Sequence, residues 1–300
     1  MSVRRDIIDS FRGFSMAMCS TWLWHRPSRS MFDAGEGISP HMRNHVLAIE
    51  NVFLTHGHHD HLGGVAGLAL ARGAARGDKD KPFVIFHPGG WGEIEALKRY
   101  IDAVCDNSRV IAWKEIVPGD SVTMSDDGKT SVRAFEVRHA SRLCLGYAMV
   151  EKRVRLRKEF SGLPGKEIAA IAAERGRDAI NEPYEKIVFA YSGDCSGVDP
   201  DSVPGADVLF HEGTFVEKGE LVGDGEETAM RAGGGHSTVR GAVGVAAKAG
   251  VGVLVLVHLS MRYSVESAVA EARATAGEFG FAGGISLLHG SRMIEVGAAS

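Results

Sequence analysis

Residues 55–64 read Thr-His-Gly-His-His-Asp-His-Leu-Gly-Gly. Four of the six positions 56–61 are histidine, whereas an even spread of the 13 histidines over 300 residues puts about a quarter of one in any six. Neutral imidazoles at this density, with a carboxylate among them, suit a borderline-soft divalent cation, and zinc is the simplest choice. A buried cluster of this kind without a metal carries a desolvation cost that nothing offsets. In the pattern HxHxDH, His56 and His58 can reach one metal while Asp60 and His61 reach a second.

Two metals need more ligands than one loop supplies. Three residues qualify, each just beyond an apolar run: His139 after 132–137, Asp194 after 187–191 and His258 after 253–257. Polar residues at strand ends are where sites form in open α/β sheets. Further short apolar runs at 52–55, 83–87, 110–113 and 208–211 read as buried strands, and 13–24 reads as a strand pair. Between them lie helical patterns. Ile94, Leu97, Ile101 and Val104 share the face of a helix beginning near Trp91. Val239, Ala242, Val243 and Ala246 share another, capped by Ser237 or Thr238 and stopped at Gly250. A third helix follows Gly64. The alternation predicts an α/β protein with helices covering sheets. One segment departs from it: residues 152–186 turn to charged, helical sequence opening with Lys152, Arg153, Arg155, Arg157 and Lys158, and read as an inserted arm. No Pro/Gly/Ser-rich linker divides the rest, so residues 1–300 are expected to form one domain.

Composition excludes several classes. With 44% hydrophobic and 24% charged residues the chain has the balance of a globular protein. Its net charge of -4 provides no global basic field for nucleic acid, so any phosphate contact must be local. No run of 18 apolar residues exists, and the N-terminus reads as strand rather than leader, which makes a cytoplasmic address the expectation. Cys19, Cys105, Cys144 and Cys195 form no CxxC pair, so neither a disulfide framework nor a cysteine zinc knuckle is indicated. His211 and Glu212 are not the start of an HExxH protease site, because Phe215 stands where the second histidine belongs.

The motif THGHHDHLGG, Asp33 in FDAGEG, His139 in RHASRLCLGY, Asp194 in YSGDCSG, His211 in HEGTF, His236 in GHST and His258 in HLSMRY together resemble the metallo-β-lactamase superfamily, in its ribonuclease Z branch. The correspondence runs in order from about residue 13 to the end, and RKEFSGLPGKEI at 157–168 is similar to the arm of short, plant-like members. The resemblance implies a four-layered αββα sandwich with a dinuclear site at one edge. It implies that His56, His58 and His139 hold one Zn2+, that Asp60, His61 and His258 hold the other, and that Asp194 bridges them, with Mn2+ or Fe2+ as substitutes. Asp33 would orient a ligand histidine; His59 would point away. Glu212 and His236 would form a pair beside the metals. After a bridging hydroxide attacks phosphorus, with Asp60 helping to orient or deprotonate the water, a protonated His236 held by Glu212 would give its proton to the leaving 3′-oxygen.

The activity this implies is removal of the 3′ trailer from precursor tRNA by a homodimer, with the helix after Gly64 as a contact. Lys152, Arg153, Arg155, Arg157 and Lys158 of the arm, with Ser260 and Arg262, are the candidate substrate contacts. Two departures stand out: there is no PxKxRN loop near the N-terminus, and the arm lacks a Gly-Pro-rich tip. A 3′,5′-cyclic nucleotide phosphodiesterase is the alternative, since opening the ring breaks the same phosphorus to 3′-oxygen bond and needs no basic exosite. A third reading is a cysteine hydrolase, because 193–197 has the form GxCxG of a nucleophile elbow around Cys195.

Overall fold

A computed structural model describes residues 2–74, 82–105, 111–139, 142–216 and 235–297. Among these residues the strands form two sheets. The first runs β1 (Phe11–Met16), β2 (Ser20–His25), β3 (Ser30–Phe32), β4 (Asn51–Phe53), β5 (Phe83–His87) and β6 (Ile111–Glu115), in that spatial order. The second contains β7 (Ser121–Thr123), β8 (Thr130–His139), β9 (Arg142–Leu156), β10 (Asn181–Tyr191), β11 (Val208–Glu212), β12 (Val253–Val257), β13 (Gly284–His289) and β14 (Arg292–Glu295), again adjacent in chain order. The strands β3 to β6 are parallel, as are β10 to β13; the remaining pairs are antiparallel.

Strand β12, Val-Leu-Val-Leu-Val, shows why such runs are apolar throughout. Val255 and Val257 face the other sheet, in a layer with Phe32, Phe53, Tyr147, Phe189 and Phe210, while Leu254 and Leu256 belong to the cluster that includes the helices. A parallel strand covered on both faces has no solvent side to make polar. On the first sheet that cover comes from α2 (Ile38–Met42), α4 (Val65–Ala74) and α5 (Gly92–Val104), through Ile38, Met42, Val65, Leu68, Ile94 and Ile101. On the second it comes from α8 (Val239–Ala249) and α9 (Val265–Phe279), through Val239, Val243, Ala246, Ala268 and Ala272. The four layers are αββα. The other helices among the described residues are α1 (Ser2–Asp9), α3 (His59–Leu62), α6 (Gly165–Arg175) and α7 (Arg177–Ile180).

The cap of α8 is Thr238, whose hydroxyl accepts from Gly241 N–H at 2.9 Å, and Gly250 ends the helix at φ 65°. Val110 of the expected strand 110–113 lies outside the described residues; β6 begins at Ile111. The arm differs from expectation. Lys152, Arg153 and Arg155 are in strand rather than helix, because β9 and β10 continue as an antiparallel ribbon as far as Leu156 opposite Asn181. Arg157 follows the strand and Lys158 opens a 3-10 turn. Helical structure is confined to α6 and α7. The ribbon's charges pair locally: Arg155 with Glu182 at 2.7 Å, Arg153 with Glu151 at 2.8 Å, and Arg133 with Glu185. Such pairs stabilise little, since exposed ion pairs contribute at most about 1 kcal/mol. No helix among the described residues is long and apolar enough to cross a membrane.

Candidate metal centre

The carboxyl ends of β3, β4, β8, β10, β11 and β12 converge on one edge of the sandwich. Beyond β4 the chain bends through residues 54–58 into α3 and turns four histidines inward or outward by position. His56 and His61 are buried, whereas His59 stands 76% exposed opposite Glu36, pointing away as expected. Gly57 is required between His56 and His58: a Cβ there would lie 2.6 Å from Cε3 of Trp91, whose buried ring packs edge-on against both histidines at 5.5 and 5.4 Å.

Asp33, buried and at φ 54°, is the hub under this loop. Its Oδ1 accepts from Thr55 N–H at 2.8 Å, and its Oδ2 accepts from Tyr191 O–H at 2.6 Å and His61 Nδ1–H at 2.7 Å. The Thr55 hydroxyl also donates to Asp33, so it can only accept from His56 Nδ1 at 2.9 Å. Thr214 repeats the device on the second sheet. Its hydroxyl donates to Glu212 Oε2 and accepts from His258 Nδ1 at 3.0 Å. In their neutral form all three imidazoles therefore carry the proton on Nδ1 and present a bare Nε2.

Those bare nitrogens face other acceptors. His61 Nε2 lies 3.3 Å from His258 Nε2 and 3.2 Å from Asp194 Oδ1; His258 Nε2 lies 3.1 Å from Asp60 Oδ2 and 3.4 Å from Asp194 Oδ2. His56 Nε2 and Asp194 Oδ1 are buried with no hydrogen-bond partner. Lone pairs converging in a dry pocket need a cation between them. The spacing fits a metal: tetrahedral bonds of roughly 2.05 Å set donor atoms about 3.3 Å apart, and His58 Nδ1 stands 3.2 Å from His139 Nε2. Two groups result, His56, His58, His139 and Asp194, and Asp60, His61 and His258, each with ligand atoms within 4.8 Å of one another. Asp194 reaches across to the second.

Titration follows the same logic. Burial, followed by the neighbouring His61, holds His56 well below its usual pKa, so it stays neutral. Burial also opposes charge on His61, but Asp194 and Asp33 outweigh it and raise its pKa well above normal. Asp60 is pushed up by burial and pulled down further by His258 and His61, to about 2. Burial also lowers the pKa of His58 and His139, so the His56, His58 and His139 group stays neutral while His61 favours the charged form.

Beside these groups His236 Nδ1 lies 3.0 Å from Glu212 Oε2 and 3.7 Å from Asp194 Oδ2. Glu212 is buried, and it also accepts from Cys195 N–H and Thr214 O–H. Ser260 and the exposed Arg262 follow His258 on the same loop; Ser260 N–H donates to Thr214 O at 3.1 Å. The nucleophile-elbow reading of Cys195 is overturned. The thiol is buried in the apolar core, burial pushes its pKa well up, and a 3-10 turn at Pro200–Ser202 follows instead of a helix.

A family model described as the β-lactamase superfamily domain matches residues 28–157 and 179–259. Ribonuclease Z of Halobacterium salinarum is 31% identical over 288 residues, covering 89% of this chain and 87% of that protein. The chain belongs to the ribonuclease Z branch of the metallo-β-lactamase superfamily. Two solved structures share the fold of this superfamily member. They are the short form of human tRNase Z (20% identity, TM-score 0.59, covering 96% of this chain and 98% of that one) and the metallo-β-lactamase fold protein YhfI of Bacillus subtilis (15%, 0.62, 94% and 98%). The stretch that the superfamily model skips, 158–178, contains α6.

Sequence reasoning missed Thr55, Thr214, Tyr191 and Trp91. Hydroxyls and single aromatics have no diagnostic spacing, although Thr55 and Thr214 sit inside the motifs THGHHDHLGG and HEGTF. Among superfamily features, Asp33 is the most exposed to test. Asp33→Asn leaves His61 Nδ1–H without its anionic acceptor, and metal affinity measured by competitive chelation should fall by about 10- to 100-fold. Unaltered affinity would remove Asp33 from the centre.

Proposed function

We propose that this chain is a dinuclear zinc phosphodiesterase that removes the 3′ trailer from precursor tRNA. His56, His58 and His139 would hold one Zn2+, Asp60, His61 and His258 the other, and Asp194 would lie on both. When bound, such metals activate water and neutralise charge on phosphoryl oxygens. The observation that carries the reading beyond generic hydrolysis is the pair Glu212 and His236, 3.0 Å apart.

Burial resists a charge on His236, but Glu212 and then Asp194 overcome it and raise its pKa to about 9. With Nδ1 engaged by Glu212, the remaining N–H, at Nε2, is free to protonate a departing 3′-oxygen. Glu212 itself accepts from three donors, Cys195 N–H, Thr214 O–H and His236 Nδ1–H, which suits an orienting anion. Asp60 keeps one further contact, accepting Met18 N–H at 3.1 Å, which steadies the carboxylate as it orients water. The relatives named ribonuclease Z support precursor tRNA as substrate.

One domain carrying the β9–β10 ribbon as an insertion fits this reading. Lys152, Arg157 and Lys158 with Ser260 and Arg262 remain its RNA contacts. The exposed Leu70 on α4 supports pairing of two copies there, and unpaired thiols at Cys105, Cys144 and Cys195 suit a reducing cytoplasm. The ion pairing of Arg153 and Arg155 within the ribbon favours the second reading, hydrolysis of a 3′,5′-cyclic nucleotide, over RNA. A side-by-side assay of the zinc-loaded protein on trailer-bearing precursor tRNA and on cyclic mononucleotides decides between them. The expected result is cleavage of the precursor to a free 3′-hydroxyl, abolished by chelator; efficient ring opening with intact precursor refutes the tRNA reading.

A further inference from the structure

Arg142 opens β9, three residues beyond His139, at the mouth of the centre. Its guanidinium carbon lies 4.8 Å from the centroid of the Trp91 ring, and that ring is 5.4 Å from His58 and 5.5 Å from His56. Trp91 is a fixed platform: it is buried, and its indole N–H donates to Leu143 O at 3.2 Å. Nη1 of Arg142 reaches Glu93 at 3.3 Å, long for a charge-assisted bond, and among the described residues Nε and Nη2 have no partner. The side chain is 53% exposed, so the stack holds a half-solvated cation beside the metal ligands with most of its donors uncommitted.

A guanidinium pinned on an aromatic face loses less rotamer freedom on gripping an oxyanion than a free lysine does. The two ring separations put it within about 10 Å of His58, close enough for a phosphate adjoining the reacting one on a single strand. We propose that Arg142, held on Trp91, binds the phosphate neighbouring the scissile bond on the His58–His139 side and so favours an RNA strand over a mononucleotide. The inference rests on the phosphodiesterase reading above. It also accounts for a basic contact in a chain whose ribbon residues Arg153 and Arg155 are paired and whose net charge is -4.

The test compares Arg142→Ala with the wild type on trailer-bearing precursor tRNA and on bis(p-nitrophenyl) phosphate, a diester with no second phosphate, with metal content measured for each protein. The expected result is a loss of kcat/KM about tenfold larger on the precursor than on the small ester, carried by KM. The slope of log KM against log salt should fall by about 0.7 to 0.9, the signature of one lost phosphate contact. Arg142→Lys should recover the slope but only part of the affinity, because the charge stays and the stack is lost. Equal losses on both substrates, or an unaltered salt slope, overturn the assignment while leaving the phosphodiesterase reading intact. A wild-type protein that hydrolyses the small ester and leaves the precursor whole overturns the tRNA reading and this assignment together.

Discussion

With His61 replaced by alanine, turnover disappears and bound metal falls, read by elemental analysis beside kcat. His61 is where the carboxylates meet: its Nδ1 is 2.7 Å from Asp33, and its Nε2 is 3.2 Å from Asp194 and 3.7 Å from Asp60. Removing the ring deletes one of three donors in the Asp60, His61 and His258 group and leaves Asp33 Oδ2 without the N–H it accepts from His61. The loss of affinity should exceed the roughly 10- to 100-fold that follows when only an outlying support is removed. Its place on α3, a four-residue helix, tolerates alanine, so near-ultraviolet circular dichroism should stay close to wild type. Full metal and full kcat in this variant would dismantle the centre as described.

His236→Ala should behave differently: metal is retained and kcat drops by roughly 100-fold or more, the scale of a lost general acid. The contrast is informative because the ligand-capable atoms of His236 also cluster with those of Asp194 and His258, and with those of His139 and Glu212, so proximity alone does not exclude a ligand role. What sets it apart is solvent access: the His236 side chain is 20% exposed, against 0 to 3% for His56, His61 and His258. If metal content falls with kcat, His236 belongs to the coordination set instead. A substrate with sulfur in place of the 3′-bridging oxygen, whose leaving group needs no proton, should restore much of the rate to His236→Ala and none to His61→Ala.

The candidate centre was legible in the sequence because its densest part is local and its distant members follow strands with unmistakable apolar runs. His139 ends β8, Asp194 lies just beyond β10 and His258 just beyond β12, so chemistry and secondary structure were read from the same residues. The ribbon was not legible. Its alternation is of charge rather than hydrophobicity, Glu151, Arg153 and Arg155 on one strand against Glu182 and Glu185 on the other, and only the register reveals the pairing. The strands β13 and β14 and the helix α9 also went unread, since Ala-rich and Gly-bounded stretches give weak periodic signals. The supports of the site escaped for another reason. Thr55 and Thr214 act through the direction of one hydroxyl proton, which no spacing encodes.

The candidate donors come from both layers of the sandwich: His56, His58, Asp60 and His61 from the first sheet's loops, His139, Asp194 and His258 from the second's. A metal seated there would pin one layer to the other. Because only the closed form would offer it a seat, occupancy a thousandfold above the dissociation constant would add about 4 kcal/mol against unfolding. Persistence of the fold would then depend on metal supply as well as on packing.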